Sequence, residues 1–397
     1  MHGSGPDSLT MMPEQSSLGF VLMRGGTSKA VFLNGSALPP IGNVRDSMIL
    51  SLFGSPDPRQ IDGLGGADLL TSKLAIIDPP SRADADLDYT FAQVSISEPA
   101  VDYDINCGNI SAAVGAFAVD EGLVDVEGEM VRVRIHNTNT GRILVADVPI
   151  VDGAAAVEGT ETVQGVPGTG APIALDFSRT GGGITGALLP TGNPKDVLDT
   201  AIGAVEVTIV DLANLTVFFT ADSVGMVGNE GPKGFTDEHI SRIDSVKRAA
   251  ALSIGIEPDG LIPVPSMVSR PSGFDSLAGG QVSADQVDLV ARVIGGRPPV
   301  LHKAYPGTLA ATTGVAALIP GTTVHDVVRR SRPIDDEIRI GHPSGVMSVR
   351  AAVAHRDDVW HSDMAVYNRT ARRLAEGTAF VRRSVSTTPA AKNGASS

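Results

Sequence analysis

Cysteine is almost missing from this chain: its 397 residues hold one, Cys107. A single thiol excludes an internal disulfide framework. With no charged-then-apolar leader after Met1, the expected home is the reducing cytoplasm. Long hydrophobic runs are missing too; nothing approaches the roughly 20 apolar residues of a membrane-spanning helix, so no membrane partner is expected. Positive charge is in deficit, 31 Lys and Arg against 45 Asp and Glu for a net charge of −14. That balance argues against nucleic acid or an anionic membrane surface as partner, since both are bound through excess Lys and Arg. A small anion in a locally positive pocket stays open, because fields are screened over about 8 Å at physiological salt. No two His or Cys residues stand at a ligand spacing on one element, and no strand leads into a dinucleotide fingerprint. Neither a metal nor a nucleotide cofactor is expected.

Glycine and proline are abundant, at 45 and 26 residues, while only 4% of the chain is aromatic. This composition predicts an α+β protein of short strands and many turns. Its length predicts two domains of about 200 residues each. Runs rich in Val, Ile, Phe and Thr predict strands at 20–23, 73–77, 89–96, 131–135, 206–212 and 215–219. Apolar residues recurring every three or four positions predict helices over 43–54, 109–121, 237–254, 284–294 and 309–319. The small, polar ends, 1–17 and 387–397, are expected to be loose tails.

The two halves resemble each other. "CGNISAAVGAFAVDEGLV" (107–124) aligns with "PGTLAATTGVAALIPGTTV" (306–324) at a constant offset of 199, so Gly108, Gly115 and Gly122 fall on Gly307, Gly314 and Gly321. Chance in a glycine-rich chain is one reading and a duplicated domain the other. Helices so small-sided and poor in charge suit burial inside a wrapping of strands. The Gly- and Pro-rich span around 165–195 is the expected junction, giving domains of 18–183 and 184–386 whose last strands are allowed to cross back.

Three stretches concentrate chemistry. In "YDINCGNISAAVGAF", Cys107 stands at the expected start of a helix, where the dipole lowers a thiol pKa and free N–H groups seat a carboxylate. A buried, inert cysteine is the alternative. In "IDGLGGADLLTSKLAII", Lys73 abuts an apolar run. Either it is a solvated surface charge or its amine is desolvated enough to act as a base. In "LMRGGTSKAVFL", a double glycine, two hydroxyls and cations suit carboxylate binding but lack the spacing of a phosphate loop. The second half offers "LHKAY" (301–305) and "GHPSG" (341–345), each also readable as an ordinary turn.

Together "MRGGTSK", "IDGLGGADLLTSK", "NCGNISAAVGAFAVDEGLV", "PTGN", "IPGT" and "GHPSG", in that order, resemble the PrpF-type isomerase family. That group acts on 2-methylaconitate, 4-oxalomesaconate and related aconitate-like acids. The resemblance implies a diaminopimelate-epimerase-like fold of two pseudo-symmetric domains, each a β-roll or barrel around a central helix, with the active site where both helix N-termini point. It implies Lys73 as the proton-transfer base and Cys107 at the second proton-transfer position. Arg24, Gly25, Thr27 and Ser28 carry over as carboxylate binders, as do Ser72, Asn106, Gly108 and Asn109, and then His342, Pro343 and Ser344. Lys303, just before the mirrored helix, is a further candidate for substrate choice. Relatives that racemise amino acids use two opposed cysteines, whereas here Pro306 stands where the repeat places the second thiol.

The implied function is a cofactor-independent isomerase that shifts the C=C bond, or interconverts cis and trans forms, of an unsaturated di- or tricarboxylic acid. The expected partner is that small-molecule polycarboxylate, with a homodimer as the base expectation. The competing reading is a non-catalytic partner of an aconitase-type dehydratase, or a store for an anionic metabolite.

Overall fold

A computed structural model describes residues 14–104, 107–296, 299–328 and 337–386. Its first half opens with a hairpin, β1 (Gln15–Gly25) and β2 (Ser28–Asn34). Helix α1 (Asn43–Phe53) leads to β3 (Lys73–Asp78), parallel to β2, and β4 (Leu87–Val94) returns antiparallel. The short β5 (Val101–Asp102) precedes α2 (Gly108–Asp120). Strand β6 (Met130–Asn137) then lies parallel to β4, followed by β7 (Arg142–Val151), β8 (Ala154–Ala155) and β9 (Ile173–Asp176).

The second half repeats this order. After β10 (Asp196–Thr200) come the hairpin strands β11 (Gly203–Leu212) and β12 (Asn214–Thr220), then α3 (Asp237–Ser253) and β13 (Val264–Ser269), parallel to β12. A small hairpin, β14 (Phe274–Asp275) and β15 (Gln281–Val282), precedes β16 (Leu289–Gly295), antiparallel to β13, and β17 (Val300–Leu301). Helix α4 (Gly307–Leu318) and α5 (Thr323–Val327) lead to β18 (Glu337–His342), parallel to β16, and then β19 (Gly345–Arg356). Each parallel pair is joined through a helix, as the geometry of parallel pairing requires.

The chain then crosses over. Strand β20 (Val359–Arg369) pairs with β19 along most of its length, but its last residues, Val366–Arg369, pair with β9 of the first half. Strand β21 (Ala371–Arg382) pairs with β1 from end to end. The crossing point, Arg369 to Ala371, stands next to the starts of α2 and α4.

Both central helices are buried nearly all round, and their first residues, Gly108 and Gly307, keep the 199-residue offset. The matched glycines do the same work in each half. A Cβ on Gly115 would come 2.8 Å from Ala146 Cβ on β7, and one on Gly314 would come 2.9 Å from Val349 Cγ1 on β19. Gly122 and Gly321 both end their turns at positive φ, 64° and 85°.

Two expectations need correction. The span 284–294 is not a helix: after one short 3-10 turn it becomes β16. Both faces of that strand are buried, so the period-2 alternation is erased, and Leu289, Val290, Val293 and Ile294 imitate helical spacing. Residues 15–17, assigned to a loose tail, form the first part of β1, with Gln15, Ser16 and Ser17 opposite Arg382, Val381 and Phe380. Polar side chains hid the strand because ladder pairing uses only the backbone. The Gly- and Pro-rich span 165–195 is interrupted by β9. The tail 387–397 lies outside the described residues.

Candidate active site

The β1–β2 turn lies directly on the first turn of α2. A Cβ on Gly25 would stand 2.2 Å from the Asn109 carbonyl oxygen, and Gly26, at φ 48°, touches the Asn109 side chain. Only glycine allows this approach. Asn109 Nδ2 donates to Thr27 Oγ1 (3.0 Å) and Ser28 Oγ (3.5 Å), tying the hairpin hydroxyls to the helix. Arg24 turns its guanidinium onto the crossing point, where Nη1 donates to Thr370 O (2.8 Å), Thr370 Oγ1 (3.0 Å) and Gly26 O (3.1 Å). Burial, then Arg372, lowers its pKa. Arg24 thus braces the site's wall.

Cys107 is the N-cap residue of α2, in extended conformation, and its carbonyl accepts from Ser111 N (3.0 Å) and Ser111 Oγ (3.2 Å). Its side chain makes no capping bond and is partly exposed. Gly108 is required there, because a Cβ would fall 2.0 Å from Tyr367 Oη. At the equivalent place before α4 stands Pro306. Asn106 lies outside the described residues.

Lys73 opens β3 and is buried, with Nζ donating to Gln93 Oε1 (2.8 Å) and lying 5.1 Å from the Phe91 ring centroid. Ser72 points into the loop rather than beside the amine: its hydroxyl donates to Gln60 Oε1 (2.7 Å), which also accepts from Ala67 N (2.7 Å). Ser72 therefore shapes the Gly-rich loop that delivers Lys73. Gln93 completes the support, its Nε2 donating to Ser72 O (2.9 Å) and Leu69 O (3.2 Å).

The second half faces this group with the segment before α4. The pKa of His302 is pushed down by burial, opposed by its hydrogen bond with Ala304 O (2.7 Å), and lowered further by the charge of Lys73. Tyr305 is buried between Ser266 Oγ (2.8 Å) and Thr313 Oγ1 (2.7 Å). Lys303 itself is exposed; its backbone oxygen accepts from Ser344 Oγ, while Pro343 O accepts from Leu277 N. Ser344 and Pro343 therefore pin the turn that carries His342, which is almost fully enclosed. Burial, reinforced by Arg369, Arg292 and His302, pushes the His342 pKa down to about 3. The neutral ring accepts from Ser344 N at Nδ1 (3.2 Å), which leaves the proton on Nε2, and Nε2 has no partner.

Between these parts lies a cavity of about 320 Å³, lined among others by Thr27, Gln164, Tyr305, His342, Tyr367 and Arg369. Lys73 and Cys107 are not among its lining residues: the charge of Lys73 reaches His302, two residues before Ala304 of the lining, and Gly108, next to Cys107, packs against Tyr367. Arg369 donates from Nε to Asn109 Oδ1 (2.9 Å) and lies 4.7 Å above the Tyr367 ring. Tyr89 and Tyr367 are fully buried, their hydroxyls have no partner, and burial raises the pKa of both, opposed at Tyr367 by Arg369. Both stay neutral donors at the α2 end. Among the described residues no three of His, Cys, Asp and Glu cluster in a way that suits a metal ion.

The sequence reading missed Arg369, Tyr367, Tyr89, Gln93 and Gln164. Arg369 stands in "NRTARR", where nothing separates a buried arginine from its exposed neighbours. Tyr89 and Tyr367 did leave a signal, since the whole chain has only four tyrosines.

The family model described as PrpF protein matches residues 15–382. The chain belongs to the PrpF family. A 3-methylitaconate isomerase of Eubacterium barkeri is 47% identical over 381 residues, covering 93% of this PrpF chain and 98% of the relative. A 2-methyl-aconitate isomerase of Shewanella oneidensis is 36% identical over 396 residues, covering 94% and 98%. A solved methylitaconate-delta-isomerase superposes with a TM-score of 0.81 at 46% identity, over 95% of this chain and 98% of that one. A hydroxyproline epimerase from Agrobacterium vitis, at 10% identity and a TM-score of 0.55 over 92% and 93%, shares the fold alone. This PrpF protein is an isomerase of epimerase-like fold.

Proposed function

We propose that the enzyme moves the C=C bond of an unsaturated di- or tricarboxylic acid by a 1,3-allylic proton shift that needs no cofactor. The observations that support this reading are a buried lysine amine, Lys73, whose charge reaches His302, and a helix-capping thiol, Cys107, next to the Gly108 that packs against Tyr367. Lys73 Nζ takes a proton from the carbon alpha to one carboxylate, or gamma to it across the double bond. The C–H electron pair then spreads over three carbons into the carboxylate as an enolate-type dianion. Reprotonation at the far carbon, with Cys107 Sγ giving up its proton, leaves the shifted alkene; the Lys73 ammonium then releases its proton to solvent and the thiolate recovers one from solvent. Rotation within the intermediate, with the proton returned to its first carbon, yields the cis-trans isomer instead. The N–H groups at the start of α2 and the neutral hydroxyls of Tyr89 and Tyr367 face the developing charge.

The 47% identical relative named for 3-methylitaconate supports that acid as the first candidate. The test is an ultraviolet absorbance screen of purified enzyme with 3-methylitaconate, 2-methylaconitate, cis- and trans-aconitate and 4-oxalomesaconate. Moving a double bond relative to a carboxylate changes the absorbance, so turnover of at least one acid is expected. No change with any of them would contradict the reading.

A further inference from the structure

A buried lysine is ordinarily paired with an acid. Lys73 is not: among the described residues the one hydrogen-bond partner of its amine is neutral, Gln93 Oε1 at 2.8 Å. Lys73 and Gln93 stand directly opposite each other across the β3–β4 ladder, so their side chains leave the same face of the sheet. Phe91, two residues before Gln93, joins them there, its ring centroid 5.1 Å from Nζ. The Gln93 amide cannot turn over. Its Nε2 donates to Ser72 O (2.9 Å) and Leu69 O (3.2 Å), and two carbonyls accept only from the NH2 side, so the oxygen is held toward Lys73. The titratable groups nearby leave this contact alone. Asp102, opposite Gln93 on β5, accepts from Asp104 N (2.8 Å), and His302, its pKa lowered from 6.5 chiefly by burial, is mostly uncharged above that pH.

An acid in the place of Gln93 would hold the amine as an ammonium, which has no lone pair with which to take a proton. A neutral acceptor ties one N–H and leaves the amine able to work as a base. We propose that Gln93 is a positioning residue for proton transfer: its fixed carbonyl oxygen aims the Lys73 amine while leaving it free to lose its proton. This role rests on the reading of Lys73 as the base.

The dependence of rate on pH in wild type, Gln93→Glu and Gln93→Met tests it, with 3-methylitaconate as substrate, or the acid of the absorbance screen that turns over fastest if that is another. Both replacements keep the length of the side chain. Wild-type kcat/KM should rise with pH as the amine sheds its proton. In Gln93→Glu an opposite charge beside the amine favours the ammonium, so this rising limb should move up by about one pH unit or more, with activity regained above it. Gln93→Met, whose thioether is a weak acceptor, should lose at least about tenfold in kcat with little change in KM. A Gln93→Glu limb that coincides with wild type, or a Gln93→Met that keeps the wild-type kcat or loses activity through KM alone, overturns the role. Should Gln93→Met not fold, the Gln93→Glu limb decides by itself. Lys73→Ala, measured alongside, separates the two claims. If it stays active the base assignment falls, whereas an inactive Lys73→Ala with an unmoved Gln93→Glu limb removes the positioning role alone.

Discussion

At the scale of single residues, the site is a set of buried polar groups whose usual partners have been withheld. Tyr89, Tyr367 and His342 each present an enclosed donor with nothing to receive it. A folded chain tolerates this where a ligand completes the network. His342 also has a consequence for stability. Its folded pKa of about 3 lies below the unfolded value of 6.5. As pH falls below 6.5, the unfolded chain takes up a proton that the folded chain refuses, so stability is lost between pH 6.5 and 3. Comparing urea midpoints at pH 7.5 and pH 5, His342→Asn should lose less stability on acidification than wild type, since the amide keeps an acceptor for Ser344 N without titrating. His302 shifts in the same direction, so part of the slope should remain. Equal acid sensitivity in the two proteins would contradict the placement of His342.

Lys73, Cys107, Thr27, Ser28 and Asn109 stand out in the sequence as candidates because glycines or hydroxyls crowd around them in short motifs. Arg369 does not, since what sets it apart is burial, and burial there is decided by a strand that pairs with both halves. Ser72 shows the opposite limit. It neighbours Lys73 in sequence, yet strand alternation sends its side chain the other way, to Gln60.

At the scale of elements, the central helices set the geometry, and their glycines set the distance to the strands. Gly115→Ala and Gly314→Ala each push a methyl group to within 3 Å of a strand side chain. Overpacking costs about 1–3 kcal/mol and outweighs the up to ~1 kcal/mol gained in helix propensity. Both variants should therefore melt below wild type. Gly19→Ala, with nothing within 4 Å of its added methyl group, should not. Thermal denaturation of the three variants checks this, and a stabilised Gly314→Ala would refute the close packing. The 199-residue repeat and four of five helices were readable because buried small-residue helices keep their period, whereas β16, buried on both faces, had none to show.

At the scale of the whole molecule, the crossing strands decide where the site is. Strand β20 belongs by pairing to both halves, and β21 closes the first half against β1. This brings Tyr367 and Arg369 to the two helix starts, an arrangement no local pattern announces. The fold alone does not fix the chemistry, for a hydroxyproline epimerase shares it at 10% identity. In this chain the caps of the two central helices are unlike, Cys107 on α2 and Pro306 on α4. The central claim is that Lys73 moves the proton, and deuterium uptake into the converted acid in heavy water measures it. Wild type should incorporate solvent deuterium at the allylic carbon as it isomerises. Lys73→Ala should lose exchange and isomerisation together by at least about 100-fold, the scale of general-base catalysis, and Cys107→Ser should slow the second protonation. Exchange and isomerisation at the wild-type rate in Lys73→Ala would contradict the account.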